Sequence, residues 1–113
     1  MTYPGYNWEY RVKKILEDSG IVLKLARWQF ADFVFIPFCE SVTYLVECKS
    51  TKKEKYAPNA HDKAQHERLR VLLENWKKQE GVSRIEARYF IKSSETQETL
   101  TFEEARAKYF KKK

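Results

Sequence analysis

The chain reads as an α/β fold, a mixed sheet flanked by helices, and three observations lead there. Three apolar runs rich in β-branched and aromatic residues follow one another at 21–27, 30–38 and 42–49. Two segments have helical spacing of apolar residues, one before those runs and one after them. A fourth strand-like run at 83–92 follows the second helix, so strand, helix and strand occur in the order of a crossover between parallel neighbours. At 113 residues the chain suits one domain, 1–113.

Each element has its own signal. Pro4-Gly5 marks a turn, and "NWEYRVKKILEDSG" (7–20) then repeats Trp8, Val12, Ile15 and Leu16 at helical spacing until Gly20 stops it. The runs "FADFVFIPF" and "VTYLVECK" are separated by a short Cys39-Glu40 turn, which predicts an antiparallel hairpin. A polar stretch, "STKKEKYAPNAHD" (50–62), leads into "KAQHERLRVLLENWKKQEG" (63–81), a helix with a Leu69, Leu72, Leu73 and Trp76 stripe and Gly81 as its stop. In "SRIEARYFIK", alternation puts Ile85, Ala87, Tyr89 and Ile91 on one face. "SSETQE" (93–98) reads as a loop, and Thr101 to Glu104 has capping-box spacing for a last helix ending near Phe110.

Composition narrows the function. Hydrophobic residues at 42% and aromatics at 15% supply a core and argue against disorder. A formal charge of +6 and a pI near 9.3 favour an anionic partner. Two cysteines, Cys39 and Cys48, lie outside any CxxC or Cys/His cluster, which argues against zinc. With no leader-like start, they suggest reduced thiols and a cytoplasmic protein; no apolar run approaches membrane-spanning length. No motif calls for a small-molecule cofactor.

Four polar residues stand out because they interrupt apolar faces. A symmetric turn, with residues 39–40 or 38–41 as its loop, sets Asp32 opposite Glu47, and Lys49 shares the Glu47 face. A one-residue slip would turn Asp32 to the other face. Glu9 shares a helical stripe with Val12 and Leu16, and Gln65 shares one with Leu69, Leu72 and Trp76. Carboxylates gathered this way resist ionising together, and a hard divalent cation, Mg²⁺ or Mn²⁺, would relieve the conflict. A lysine beside them can orient or deprotonate water, or steady charge on a phosphate. On a basic protein that combination points to phosphodiester hydrolysis. Taken singly, each residue is as well explained as an ordinary surface or strand-end group; the convergence is what isolated roles explain poorly.

At these residues the chain resembles the PD-(D/E)xK nuclease superfamily, whose pattern is an acid at the start of one strand and E-x-K on the next. Here the pattern is Ala31-Asp32 followed by Glu47-Cys48-Lys49. It is most similar to archaeal and archaeal-virus Holliday-junction resolvases, which open with G-x-x-x-E, here Gly5 to Glu9, and continue E-x-K-S/T, here Ser50 and Thr51. The resemblance runs from Gly5 to about Ile91. It implies a restriction-endonuclease-like α-β-β-β-α-β core and an Mg²⁺-dependent DNA endonuclease. It further implies metal held by Asp32, Glu47 and the Cys48 backbone carbonyl, with Glu9 reaching it directly or through water. Lys49 would be the catalytic lysine, and Gln65 matches a helical glutamine of several branches. The implied assembly is a homodimer, each site cutting one strand of a four-way junction. Two departures are visible: Ala31 stands where Pro is usual, and Arg27-Trp28-Gln29 is shorter than the Gly/Ser-containing basic loop of resolvases.

The expected partner is therefore branched or otherwise structured DNA. Lys52, Lys53 and Lys55 directly after the motif strand, and Arg27 before Asp32, are the leading phosphate contacts; Arg11, Lys13 and Lys14 on the first helix are weaker. Nothing resembles a base-reading element. The 49–55 segment, rich in lysine and poor in apolar anchors, is expected to be mobile. His61 and His66 are expected to face solvent or phosphate, and Phe102, Tyr109 and Phe110 to pack within the domain. The alternatives are a nuclease of the same fold for flaps, single strands or nicked duplex, and a nucleic-acid-binding module without catalysis.

Overall fold

The computed structural model describes residues 4–26, 31–79, 81 and 83–111, with side chains from residue 7 onward. A helix, α1 (Pro4–Glu17), is followed by strands β1 (Gly20–Lys24), β2 (Phe33–Pro37) and β3 (Val42–Ser50). Helix α2 (Ala60–Lys77), strands β4 (Arg84–Lys92) and β5 (Gln97–Thr101), a short helix α3 (Phe102–Ala105) and a π-helical segment (Arg106–Phe110) complete the order. The strands lie in the order β1-β2-β3-β4-β5. Only the β3–β4 pair is parallel, so the sheet is mixed and α2 is the crossover that joins its parallel neighbours.

The side-chain period of two divides the core between the sheet's faces. Phe33, Phe35 and Val46 pack with Trp8, Val12 and Leu16 of α1. Leu45, Ala87, Tyr89 and Ile91 pack on the other face with Leu69 and Leu73 of α2 and with Phe102 and Ala105. Burying each of the larger side chains among these is worth about 1.5–3 kcal/mol. On that second face α2 covers the sheet's centre but not its β1–β2 edge, where Ile21, Leu23 and Ile36 stay exposed.

Several sequence expectations are corrected. The Pro4-Gly5 pair opens α1 instead of turning before it, as suits proline in a first helical turn. Ile15 is 59% exposed, because it lies about 100° around the helix from Leu16 and falls on the solvent flank. The helix ends at Glu17, and Gly20 serves β1: a Cβ there would sit 2.4 Å from the Ile36 carbonyl oxygen. Residues 97–101, partly assigned to a loop, form β5 against β4. There the turn 93–96 is tied by Ser93, which accepts from the Thr96 N–H and whose own N–H donates to the Thr96 carbonyl.

Helix α2 begins three residues earlier than its apolar stripe suggests. Asn59 caps it, accepting from the Asp62 N–H at 2.8 Å, while Asp62 accepts from the Asn59 N–H. It ends at Lys77, short of Gly81, which takes a positive φ of 73° in the turn beyond. The capping box at Thr101 and Glu104 forms as its spacing predicts.

Candidate active site

The site is built on the end of β3, the middle strand. The hairpin pairs Phe33↔Val46, Val34↔Leu45 and Phe35↔Tyr44, the register a symmetric turn requires. The regular ladder stops one step before Asp32 meets Glu47. Instead the Asp32 N–H donates to the carbonyl of Val46, the residue opposite Phe33, at 2.9 Å. Two residues then oppose one, the pattern of a β-bulge, which re-aims the side chain that carries it. The Asp32 carboxylate swings to the β3 backbone and accepts from the Cys48 N–H at 2.7 Å. A strand residue's N–H and C=O point to the same side, so the Cys48 carbonyl also faces this open end of the hairpin.

Glu47 is 1% exposed. Its Oε1 accepts from Gln65 Nε2 at 3.3 Å, and its Oε2 forms an ion pair with Lys49 Nζ at 3.2 Å without making a hydrogen bond. Lys49 donates to Gln65 Oε1 at 2.6 Å and to Asp62 Oδ1 at 3.2 Å. Asp62 in turn accepts from the Tyr56 hydroxyl at 2.9 Å. Glu9 stands at the rim, 4.0 Å from Lys24 Nζ. Together with Asp32, Lys49, Gln65, His61 and Arg68, Glu9 and Lys24 line a cleft of about 450 Å³.

The electrostatics follow from crowding acids out of water. Burial, and then the neighbouring Asp32, push the Glu47 carboxyl up to about 8. Asp32 is raised chiefly by burial, against the lowering pull of the Cys48 N–H. Burial and Asp32 also raise Glu9. For Lys49 burial favours the neutral amine, but Glu47, Asp62 and Asp32 outweigh it, and the group is held as a cation above the usual lysine range. An ammonium so held fits charge stabilisation better than proton abstraction.

Among the sequence-derived candidates, the structure brings together Asp32, Glu47, Lys49, Gln65 and the Cys48 backbone, with Glu9 at the edge. The phosphate-contact candidates are dispersed. Lys52, Lys53 and Lys55 are exposed after β3. That segment carries anchors that composition did not show: Thr51 N–H donates to the Lys92 carbonyl, Ser94 N–H to the Lys53 carbonyl, and Tyr56 is buried. Arg11 lies over the Trp8 ring at 5.5 Å, and Lys14 is 3.8 Å from Glu17. Lys13 lines a small recess beside Glu9. Arg27 lies outside the described residues.

His66 corrects its expectation. It is 5% exposed, sandwiched nearly parallel between Phe102 and Phe110, with Nδ1 2.7 Å from the Tyr89 hydroxyl. Phe102, Tyr109 and Phe110 pack within the domain as expected. Sequence reasoning missed Asp62, Lys24 and Arg68. Asp62 had a signal, the Asn59-x-x-Asp62 capping spacing; Lys24 and Arg68 had none beyond their charge.

No protein-family model matches the chain, and no curated protein matches it. What fold and site define is an α/β protein with a mixed five-stranded sheet and an acid-and-lysine cleft at the end of its central strand. No helix among the described residues is long and apolar enough to cross a membrane.

Proposed function

We propose that the protein is a metal-dependent DNA endonuclease of the PD-(D/E)xK type, with a restriction-endonuclease-like core. The observation that carries this reading is the convergence of Asp32, Glu47, Lys49 and Gln65 on one end of β3, with the buried Glu47 Oε2 lacking a hydrogen bond. Such a buried carboxylate oxygen, ion-paired with Lys49 but without a hydrogen bond and beside a second carboxylate, suits a hard cation.

The donor set fits Mg²⁺ or Mn²⁺. No group of three or more Asp, Glu, His or Cys side chains able to hold a metal occurs among the described residues. Two carboxylates and a carbonyl, completed by water, match the way Mg²⁺ is commonly held. Asp32, Glu47 and the Cys48 carbonyl would hold the ion, and Glu9, at the rim, would reach it through water. When bound, the ion supplies Lewis-acid activation of a phosphodiester and of the attacking water.

The chain's own residues have separate tasks. Asp62 and Gln65 take two of the three Lys49 donors, and the third, which has only the unaligned Glu47 Oε2 at 3.2 Å, would turn to a phosphate oxygen as negative charge builds on it. Gln65 bridges Lys49 and Glu47 and fixes their separation. Lys24 and Arg68 on the cleft walls, with Lys52, Lys53 and Lys55 beyond, supply a cationic path for the backbone. With no base-reading element evident, selection by DNA shape, as in junction resolvases, is the finer reading. Cutting both strands of a four-way junction symmetrically needs a two-fold dimer.

The test is cleavage in Mg²⁺ or Mn²⁺, wild type beside Glu47→Ala, on a four-way junction, a flap, single strand and linear duplex. Paired symmetric nicks confined to the junction and lost in the variant support a resolvase. Cutting of flap or single strand keeps the nuclease and discards the resolvase. DNA binding with no cutting of any substrate leaves a binding module.

A further inference from the structure

The Lys49 ammonium sits on a flexible four-carbon stem, so its position is set by what accepts its protons. Two hydrogen-bond acceptors come from the first turns of α2, Asp62 Oδ1 at 3.2 Å and Gln65 Oε1 at 2.6 Å. The residue before the motif's cysteine contributes only the unaligned 3.2 Å approach of Glu47 Oε2. Asp62 is itself immobilised through its other oxygen, which accepts from the Tyr56 hydroxyl at 2.9 Å and from the Asn59 N–H at 3.2 Å. Tyr56 is 8% exposed and packs edge-on against Tyr109 at 5.2 Å. A chain of fixed contacts thus runs from the core through Tyr56 and Asp62 to the lysine.

We infer that Asp62 is a positioning residue for Lys49: the Tyr56–Asp62 pair anchors the ammonium so that one donor stays directed to the cleft. This rests on the nuclease reading for its consequence in catalysis, but the anchoring itself does not. A purely structural role for Asp62, as the third residue of the α2 capping box, is the competing explanation, and Asn59 separates the two. Replacing Asn59 damages the cap and leaves Asp62 Oδ1 on Lys49; replacing Asp62 by Asn removes the carboxylate from Lys49 while keeping a similar shape.

The first measurement needs no activity. A hydrogen-bonded, buried ammonium exchanges its protons slowly enough to give a ¹H–¹⁵N side-chain signal, which Lys49→Met assigns. We expect that signal to be lost in Asp62→Asn, weakened in Tyr56→Phe and kept in Asn59→Ala. The second measurement is steady-state cleavage. We expect Asp62→Asn to lower kcat at least tenfold with KM within about twofold of wild type, Asp62→Glu to recover part of the loss, and Asn59→Ala to keep wild-type kcat with a lower melting temperature. An unchanged Lys49 signal in folded Asp62→Asn overturns the proposal, as does an equal loss of kcat in Asn59→Ala. If the signal responds as expected and wild-type protein cuts no DNA, the anchoring stands and the nuclease reading falls.

Discussion

Gln65 and His66 are neighbours on α2, yet they serve opposite kinds of polar interior. Gln65 joins a charged cluster in which Lys49, Glu47 and Asp62 remain in contact through hydrogen bonds and ion pairs. His66 enters an aromatic sandwich with one hydrogen bond, to Tyr89, and a buried Nε2 that has none. Burial there pulls the imidazole down to about 4, so it is neutral near pH 7. One region crowds ionisable groups together, raising its acids while Lys49 stays cationic; the other sheds its charge and keeps its packing. The first arrangement suits chemistry, and the second suits stability.

The largest expected effect breaks the comparison on the charged side. If the proposed function holds, Asp32→Ala or Glu47→Ala should reduce cleavage by about 10³-fold or more, since several kcal/mol of transition-state stabilisation would go with the proposed metal site. Lys49→Ala should do the same while leaving metal binding in place, as judged by Mn²⁺ titration. Retained cleavage in all three variants would remove the site assignment.

The next effect falls on the aromatic side. His66→Ala should cost roughly 2–4 kcal/mol in urea unfolding, because two ring contacts are lost and the Tyr89 hydroxyl is orphaned. Cleavage per folded molecule should stay near wild type. A selective loss of kcat in a fully folded His66→Ala would show that the two clusters are not separate.

The pH dependence of stability sharpens the contrast, because the two groups give slopes of opposite sign. The folded value for His66, about 4, lies below its ordinary 6.5, so the unfolded chain binds more protons between them. Stability from His66 therefore rises with pH across 4 to 6.5 and is lost as pH falls through that window. The folded value for Glu47, about 8, lies above its ordinary 4.5, so the folded chain binds more protons between them. Stability from Glu47 is then present below 4.5 and is lost as pH rises from 4.5 to 8. In chelator, His66→Gln should flatten the rising slope, a change of roughly 1–3 kcal/mol across its window, and Glu47→Gln the falling one. Denaturant midpoints at closely spaced pH values read both.

The smallest effect lies outside both clusters. Replacing Lys52 and Lys53 together by Ala should weaken DNA binding modestly and reduce its salt slope by nearly 2. Fluorescence anisotropy at several salt concentrations checks this; an unchanged slope would move the phosphate path toward Lys24 and Arg68.

Patterns with a short range were legible in the sequence. The period of two in residues 42–49 and 83–92 gave β3 and β4 with their faces, and the short turn at Cys39-Glu40 gave the hairpin register. The opposition of Asp32 and Glu47 was read one step too far, because a bulge depends on how β2 leaves the ladder and has no signature in Ala31-Asp32-Phe33. The short β5 was missed because Gln97-Glu98-Thr99 is polar and is held by the edge of β4 more than by its own propensity.

Local chemistry by itself determined the helices, the first four strands, the hairpin and the candidacy of Asp32, Glu47, Lys49 and Gln65, because backbone periodicity is fixed by covalent geometry. Only the tertiary structure decided that Asp62 holds Lys49, that Lys24 and Arg68 reach the cleft, and that His66 enters the aromatic core while Gln65 turns to the cleft. Those outcomes depend on where α2 sits across β3 and β4, and that placement is set by the summed packing of Leu69, Leu73, Tyr89, Phe102 and their neighbours, which no single stretch of the chain encodes.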